Sequence, residues 1–175
     1  PLNKNALVIV VSQSGETADT LAALRAAREA GMALAALTNT VGSTLSRQAG
    51  TTLLTYAGPE IAVASTKAYT TQAELLFLIA AALGKMRGHL TEEQADGLSA
   101  EVRALPEKME RALKTEQQLQ RIASTASQKK HVFFVGRGMD YALSMEAALK
   151  LKEVSYIFSE AYAAGELKHG PIALL

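Results

Sequence analysis

The sequence predicts an α/β fold in which short parallel strands alternate with helices. Apolar segments at 6–11, 32–37 and 51–55 are short and rich in branched side chains or threonine, as expected of buried strands. A segment at 17–30, rich in Ala, Leu, Arg and Glu, follows the first of them and favours a helix. The same order of strand, turn and helix begins again near residue 132. This alternation predicts a doubly wound parallel sheet with flanking helices, arranged in two lobes.

Within the first lobe, glycine and hydroxyl residues mark the ends of the helices. Gly31 follows the first helix as a C-terminal glycine, and Ser43 or Thr44 begins a short second helix. A long apolar helix starts after the segment 61–68 and ends near Gly84. Its second half is hydrophobic on nearly all sides, which predicts that it is buried at a domain or subunit contact.

The middle of the chain is predicted to be a helical connector. The run Thr-Glu-Glu-Gln at 91–94 matches a capping box, in which the first and last side chains bond reciprocally to the backbone. Apolar residues then recur at helical spacing, and Pro106 marks a kink or a restart of the helix. We therefore expect a first domain at 1–88, a connector at 89–127 and the start of a second domain at 128–175.

The second lobe is predicted to begin with a strand at 132–135, a turn at Gly136 and Gly138, and a helix at about 140–153. A second lobe with so few strands cannot bury a sheet on both faces, so its following strands are expected beyond residue 175. The chain also begins without Met, in a polar segment directly before a core strand. Both features predict a fragment that is truncated at both ends.

The composition argues against several classes of protein. A formal net charge of +1, with no basic cluster larger than Lys129-Lys130, predicts no nucleic-acid partner. The longest apolar run, at 75–83, is too short to cross a bilayer, so no membrane partner is predicted. The absence of cysteine excludes disulfides and thiolate metal sites and fits a reducing cytoplasm.

The most informative segment is the run Ser-Gln-Ser-Gly-Glu-Thr at 12–17, between the first strand and its helix. A helix N-terminus presents unpaired N–H groups and a partial positive charge, which attract an anion. Ser12, Ser14 and Thr17 add hydroxyl donors, and Gln13 adds an amide. Because the run contains no Lys or Arg, it suits one phosphate monoester better than a nucleoside triphosphate. The alternative is an ordinary helix whose hydroxyl residues serve only as caps.

Charged side chains on the last predicted helix form a second candidate site. Glu146, Lys150 and Glu153 share one helical face at positions i, i+4 and i+7. The spacing alone favours a solvated ladder of ion pairs, worth about 0.2–0.5 kcal/mol per pair. The functional alternative places a carboxylate beside a cation for proton transfer in an aldose–ketose isomerisation. His169 is either a cation at a helix end or a general acid and base that titrates near neutral pH.

No cofactor and no metal site is predicted. Gly136 and Gly138 begin a dinucleotide fingerprint, but Tyr141 stands where its third glycine belongs. The chain has no Gly-Lys-Ser/Thr phosphate loop and no His-Glu-x-x-His zinc helix. Its three histidines are far apart in the sequence and lack the spacing of metal ligands.

Four segments together resemble one enzyme family. They are Ser-Gln-Ser-Gly-Glu-Thr at 12–17, Glu-Ile-Ala-Val-Ala-Ser-Thr-Lys-Ala at 60–68, Leu-Lys-Leu-Lys-Glu-Val-Ser-Tyr at 149–156 and Glu-Ala-Tyr-Ala-Ala-Gly-Glu-Leu-Lys-His-Gly-Pro at 160–171. Over essentially its whole length the chain is similar to the sugar-isomerase part of the glucosamine-6-phosphate synthase family, also called glutamine–fructose-6-phosphate aminotransferase (isomerizing). That part is built from two SIS domains. The family's glutaminase part has no counterpart in this sequence.

The resemblance implies a role for two groups of residues. The substrate-binding group would hold the sugar phosphate and line the sugar: Ser12, Gln13, Ser14, Thr17, Val63 and Ser65. In the catalytic group, Glu153 would move a proton between C1 and C2 of the sugar, and Lys150 beside it would polarise the sugar oxygens. His169 would open the fructose ring, and in the family it reaches the site from the partner subunit of a homodimer.

The resemblance also implies what the chain lacks. The family aminates fructose 6-phosphate with ammonia released from glutamine, which gives glucosamine 6-phosphate. Its site includes an earlier strand with a Gly-Thr-Ser turn and a C-terminal lysine that forms a Schiff base with the ketose, and neither is present here. We therefore expect this chain to be inactive by itself.

Two alternatives stay open at this point. One is another SIS-fold enzyme without a glutaminase, such as a sugar-phosphate isomerase or a deglycase. The other is a non-catalytic SIS module that senses a sugar phosphate inside a regulator. The run at 160–171 favours the synthase over the first alternative. The presence of Glu153 and His169 disfavours the second, because a sensor needs only the hydroxyl-rich loop.

Overall fold

A computed structural model describes residues 4–174 of the chain, which divides into two units between Leu105 and Pro106. Each unit contains its own parallel sheet with flanking helices. The α/β fold class predicted from the alternation of strands and helices is therefore confirmed. The narrower limits at 1–88, 89–127 and 128–175 stay a prediction.

Three parallel strands form the sheet of the first unit. They are β1 (Leu7–Ser12), β2 (Ala33–Thr38) and β3 (Thr51–Leu54), hydrogen-bonded in the order β1–β2–β3. Ser12 pairs with Thr38, and Thr38 pairs with Leu54, so all three carboxyl ends lie at one edge of the sheet. In open parallel sheets this edge is where ligands bind.

Two helices connect these strands and bury the apolar side chains of the core. Helix α1 (Ala18–Glu29) joins β1 to β2, and α2 (Thr44–Gln48) joins β2 to β3. Leu24 of α1 and Leu45 of α2 are completely buried. Each stabilises the fold by about 1.5–3 kcal/mol relative to an exposed position. The other buried members of this core cluster are Val10, Ala36 and Ala49.

Helices α3 (Lys67–Met86) and α4 (Glu92–Arg103) complete the first unit. Thr91 forms the predicted capping box: its hydroxyl accepts from the Gln94 N–H at 3.2 Å, and the Gln94 side chain accepts from the Thr91 N–H at 2.8 Å. Helix α4 packs against α3, while Leu76 and Phe77 of α3 are exposed in the chain. The prediction that α3 is buried at a domain or subunit contact stays a prediction.

The second unit begins with two amphipathic helices, α5 (Leu105–Leu113) and α6 (Glu116–Ala126). Pro106 lies in the first turn of α5, where its missing N–H breaks no intrahelical hydrogen bond. The predicted restart of the helix at Pro106 is therefore confirmed. Neither helix has a fully buried residue.

The sheet of the second unit consists of β4 (His131–Gly136) and β5 (Phe158–Ala163), with α7 (Met139–Ser155) between them in the chain. The strands are parallel and in register from His131–Phe158 to Gly136–Ala163. The expectation that the strands following β4 lie beyond residue 175 is therefore wrong. A 3-10 turn at Pro171–Leu174 ends the described residues.

Polar residues make β5 difficult to recognise as a strand from the sequence. Its second residue, Ser159, is completely buried, and its hydroxyl donates to the carbonyl of Ala148 in α7 at 2.7 Å. That hydrogen bond satisfies the polar group where it is inaccessible to water. The strand is also held by edge-to-face ring contacts to β4, between His131 and Phe158 and between Phe133 and Tyr162. Over residues 4–174, no helix has both the length and the apolar character that crossing a bilayer requires.

Candidate functional site

The loop that follows β1 carries a pair of hydroxyl groups at the edge of the first sheet where the carboxyl ends of its strands lie. Ser12 Oγ accepts from the Gly15 N–H at 3.0 Å and lies 3.1 Å from Thr17 Oγ1. Either hydroxyl can be the donor of that second contact. Each hydroxyl has a single proton, and only one of the two protons is used in the contact between them. The other proton is free to form a further hydrogen bond. The pair can therefore donate a hydrogen bond to an anion without breaking its own contacts.

Thr17 occupies the N-cap position of α1, but its side chain makes no capping hydrogen bond. Its hydroxyl contacts Ser12 instead. Among the described residues, no side chain accepts from the first N–H groups of α1, which are the groups that attract an anion at a helix N-terminus. The structure therefore disfavours the interpretation of this run as an ordinary capped helix.

The rest of the loop is fixed by its own backbone and by β2. The Gln13 carbonyl accepts from the Thr38 hydroxyl at 3.1 Å and from the Asn39 N–H at 3.0 Å. Ser14 Oγ accepts from the Glu16 N–H at 3.2 Å. The Gln13 and Ser14 side chains are both half-buried. The four predicted phosphate-binding residues thus lie together on one ordered loop.

Gly15 gives this loop its shape. Its φ of +69° lies in the left-handed region, and a Cβ atom built there would lie 2.2 Å from Ser43 Oγ. The Gly15 carbonyl accepts from the Leu45 N–H at 3.0 Å, and Glu16 Oε1 accepts from the Thr44 N–H at 2.7 Å. The hydrogen bond from Thr44 lowers the pKa of Glu16. The loop is therefore packed closely against the start of α2.

The predicted sugar-lining residues lie in the segment between β3 and α3. Val63 is 97% exposed, so its backbone is open to a ligand. Ser65 is half-buried, and its hydroxyl is 3.3 Å from Glu60 Oε2. The same carboxylate oxygen accepts from the Ala68 N–H at 3.2 Å, in the first turn of α3. Because the Ser65 hydroxyl donates to Glu60, its oxygen can still accept from a sugar hydroxyl.

The second unit brings the three predicted charged residues of α7 together. Lys150 Nζ lies 2.5 Å from Glu153 Oε2 and 3.5 Å from Glu146 Oε1. The side chains of Lys150, Glu146 and Glu153 are only 24%, 25% and 30% exposed. The spacing is that of ordinary ion pairs on one helical face, so the catalytic role of Lys150 and Glu153 stays a prediction. The hydrogen bond with Glu153 is the main cause that raises the pKa of Lys150, and the charge of Glu146 adds to it.

The structure does not bring His169 into this charged cluster. His169 is exposed, in the turns that follow β5, and its backbone N–H donates to the Glu166 carbonyl at 2.9 Å. Within residues 4–174 its ring makes no hydrogen bond or ion pair with Lys150 or Glu153. Its predicted catalytic role therefore stays a prediction.

Sequence reasoning missed two residues that hold the sugar-lining segment. Glu60 was part of a matched run but received no role, although an acidic residue near a helix N-terminus is a common signal for capping. Asn39 lies in the loop after β2 and gives no motif signal at all. In the described part of the chain, no three His, Cys, Asp or Glu side chains lie close enough to hold a metal ion.

Each unit has the features of one class of α/β protein: the first has a parallel sheet with a hydroxyl-rich loop after its first strand, and the second has a parallel sheet with a lysine–carboxylate cluster on its long helix. The sequence profile of the SIS domain matches residues 1–82 and 126–175. The chain belongs to the SIS domain family.

Relatives of known name agree with the resemblance found in the motifs. The chain is 54% identical over 174 residues to glutamine–fructose-6-phosphate aminotransferase [isomerizing] of Clostridium tetani, covering 99% of this chain and 29% of the relative. The similarity to the glucosamine-6-phosphate synthase family that the four motifs indicated is thus confirmed. The chain spans about 29% of the length of this relative and of two further curated relatives with the same name.

Solved structures support the same fold. The C-terminal domain of glucosamine-fructose-6-phosphate aminotransferase from Francisella tularensis superposes with a TM-score of 0.95 at 41% identity, covering 99% of this chain and 49% of that one. Glucosamine-6-phosphate deaminase from Thermotoga maritima gives a TM-score of 0.78 at 26% identity, covering 100% of this chain and 51% of that one.

Proposed function

We propose that the chain forms part of the sugar-isomerase site of an enzyme that converts fructose 6-phosphate and ammonia derived from glutamine to glucosamine 6-phosphate. The observation that carries this proposal is the partly buried Lys150–Glu153 pair, with 2.5 Å between Nζ and Oε2. A module that only bound a sugar phosphate would need no such pair. A carboxylate held beside a cation is instead the equipment of proton transfer next to a carbonyl group.

Binding of the substrate phosphate is assigned to the loop at 12–17. The uncommitted proton of the Ser12–Thr17 pair and the uncapped N–H groups of α1 would donate to the phosphate oxygens. Gln13 and Ser14 would add an amide and a hydroxyl donor. Val63, through its exposed backbone, and Ser65, through its hydroxyl, would contact the sugar.

The chemical step is assigned to the cluster on α7. Glu153 would remove a proton from C1 of the ketose and deliver it to C2, which yields the aldose. Lys150 would stabilise the negative charge that develops on the sugar oxygens during this transfer. His169 would transfer a proton to the ring oxygen as the fructose ring opens, acting on the site of the partner subunit.

The features of the whole enzyme belong to the same proposal. The name of the Clostridium tetani relative supports glutamine as the nitrogen source, and hence a glutaminase domain in the longer protein. We expect a homodimer, because the resemblance assigns His169 to the neighbouring subunit's site. A cytoplasmic location fits both the phosphorylated substrate and the absence of cysteine.

A second candidate function is favoured by one observation. The chain is similar in fold to glucosamine-6-phosphate deaminase from Thermotoga maritima, whose name describes a different reaction of a sugar phosphate. A deaminase, deglycase or isomerase without a glutaminase would use the same phosphate loop and the same carboxylate. These enzymes differ from the proposed synthase because they do not take nitrogen from glutamine.

Calorimetric titration with fructose 6-phosphate, and with unphosphorylated fructose as the control, tests the binding half of the proposal. Binding that depends on the phosphate supports the assignment of the 12–17 loop. For the reaction, a protein that carries these 175 residues within a chain of the relatives' length is given fructose 6-phosphate with glutamine. Formation of glucosamine 6-phosphate supports the synthase, and isomerisation without amination supports the second candidate.

A further inference from the structure

Asn39 connects the two substrate-binding segments of the first unit. Its backbone N–H donates to the carbonyl of Gln13, in the phosphate loop, at 3.0 Å. Its Oδ1 accepts from the Thr55 hydroxyl at 3.0 Å and from the Ala57 N–H at 2.9 Å. Its Nδ2 donates to the Gly58 carbonyl at 2.7 Å. The amide orientation is fixed, because an N–H at Ala57 requires an oxygen and a carbonyl at Gly58 requires a donor.

The backbone that Asn39 holds is strained. Tyr56 lies between two of the bonded residues and has a φ of +51°, in the left-handed region that residues other than glycine rarely adopt. Its side chain is 83% exposed, so packing does not hold it there. Such a conformation persists only when its surroundings impose it. The hydrogen bonds of Asn39 to Thr55 and Ala57, on both sides of Tyr56, provide that constraint.

The constraint extends to the sugar-lining residues. Pro59 follows directly and has a ring-locked φ, and its carbonyl accepts from Lys67 Nζ at 2.5 Å. Glu60 then holds Ser65 and Ala68 through one carboxylate oxygen. The segment that carries Val63 is therefore anchored at its beginning through Asn39 and at its end through Glu60.

We infer that Asn39 is a positioning residue that sets the sugar-lining segment 63–65 at a fixed place relative to the phosphate loop. This inference rests on the proposed function, because it requires that one ligand contacts both segments. Asn39 acts through the backbone of Ala57 and Gly58. A shift of about 1 Å in a contacting group can cost about 10²-fold in rate, so a residue that fixes this spacing controls how well a sugar phosphate fits both segments at once.

The test compares two ligands in three variants of a protein that carries these 175 residues within a chain of the relatives' length. Inorganic phosphate can use the 12–17 loop alone, whereas fructose 6-phosphate needs both segments. We expect Asn39→Ala to weaken fructose 6-phosphate binding by about tenfold or more, while phosphate binding changes by less than about twofold. Asn39→Asp keeps the acceptor for Ala57 but loses the donor to Gly58, so it should weaken fructose 6-phosphate by about threefold. The control is Thr52→Val, which removes one hydrogen bond to the Ser46 carbonyl and should change neither dissociation constant.

Hydrogen exchange at the Ala57 amide gives a second readout that a general loss of stability would not reproduce. Exchange should accelerate in Asn39→Ala and stay close to the original rate in Asn39→Asp and Thr52→Val. If Asn39→Ala does not fold, Asn39→Asp alone decides the inference through the ratio of its two affinities.

Several results would overturn the inference. If the Asn39 variants bind fructose 6-phosphate as tightly as the original chain, or lose both ligands equally, Asn39 has no positioning role and the proposed function stands. If an unsubstituted protein of the relatives' length binds phosphate but gains nothing from the sugar, the proposed function fails, and the role of Asn39 fails with it.

Discussion

Lys150 contacts only one of the two carboxylate oxygens of Glu153. Its Nζ lies 2.5 Å from Glu153 Oε2, and both side chains lie on one face of α7. The other oxygen, Oε1, makes no hydrogen bond to any residue in the described range 4–174. The lysine thus orients the carboxylate and leaves one of its oxygens free to accept a proton, as the proposed function requires. The orientation of the Glu153 carboxylate and its proposed role as a base can therefore be tested in separate experiments.

The chemistry of Glu153 is tested by Glu153→Gln. The amide keeps the shape of the side chain and an oxygen for Lys150, but it cannot take a proton. We expect isomerisation to fall by about 10²–10⁴-fold, while fructose 6-phosphate binding stays within a few-fold. The rate is measured in a protein that carries these residues within a chain of the relatives' length. Glu107→Gln, on α5, is the matched control, and turnover that survives in Glu153→Gln would show that Glu153 is not the base.

The orientation of Glu153 is tested through the titration of Lys150. The hydrogen bond with Glu153 raises the pKa of Lys150 above its ordinary value of 10.5. A cation with a raised folded pKa stabilises the fold fully below its unfolded pKa, and that contribution is lost as the pH rises through the folded pKa. The pair should therefore contribute equally across neutral pH and lose its effect in the alkaline range above 10.5.

Nuclear magnetic resonance of the Lys150 ε-methylene group measures this pKa directly. In Glu153→Gln the pKa should move down towards its ordinary value, because the acceptor of the Lys150 hydrogen bond is then a neutral amide and no longer a charged carboxylate. In Glu146→Gln it should move down less, since the charge of Glu146 acts from 3.5 Å. An unchanged Lys150 pKa in Glu153→Gln would contradict the ion pair.

The hydroxyl pair of the phosphate loop is tested by Thr17→Ala. This change removes the contact at 3.1 Å and one of the two hydroxyls that can donate to an anion. We expect fructose 6-phosphate to bind about three- to tenfold more weakly by calorimetry. Thr17→Ser keeps the hydroxyl and should bind as the original chain does. Thr125→Ala, on the exposed face of α6, controls for the loss of a threonine, and equal affinity in all four proteins would exclude Thr17 from the site.

The shape of the same loop is tested by Gly15→Ala. The new Cβ would approach Ser43 Oγ to 2.2 Å, at a φ of +69°. Left-handed strain and the steric conflict should together lower the free energy of unfolding by about 2–4 kcal/mol. Urea denaturation measures this loss, and the same variant should bind fructose 6-phosphate poorly, because the loop must shift to relieve the conflict.

Two other glycines separate the causes of that effect. Gly42 has a φ of +72° and nothing within 4 Å of a built Cβ, so Gly42→Ala should cost only the left-handed strain, about 1–2 kcal/mol. Gly97 lies within α4 with open space around it, so Gly97→Ala should raise the stability by about 0.5–1 kcal/mol. If Gly15→Ala costs no more than Gly42→Ala, the loop does not pack against Ser43 as described.

The parts of the fold that follow from local chemistry were predictable from the sequence. The capping box at Thr91 and Gln94 depends on side chains three residues apart, and the alternation of strands with helices depends on local composition. The hydroxyl-rich run at 12–17 was recognisable because hydroxyl and amide side chains are hydrogen-bond donors that suit an anion. The pairing of Lys150 with Glu153 was predictable from helical spacing, but their partial burial was not, because burial depends on elements distant in the sequence.

The parts that the sequence did not show depend on tertiary contacts. Strand β5 contains Ser159 and Glu160, which interrupt its apolar pattern, and only the bond from Ser159 to Ala148 makes the buried hydroxyl acceptable. The Asn39 side chain bonds to the Thr55 hydroxyl and to backbone atoms of Ala57 and Gly58, 16 to 19 positions further along the chain. Such a residue is indistinguishable in the sequence from any other asparagine in a loop.

The phosphate loop consists of hydroxyl, amide and backbone donors, and residues 12–17 contain no lysine or arginine. Dissolved salt screens the attraction between full charges, with a Debye length of about 8 Å at physiological ionic strength. It has far less effect on short hydrogen bonds made in direct contact. The one charged side chain of this run is the carboxylate of Glu16. Added salt should therefore not weaken phosphate binding at this loop in the way that it weakens binding to a cluster of lysines and arginines.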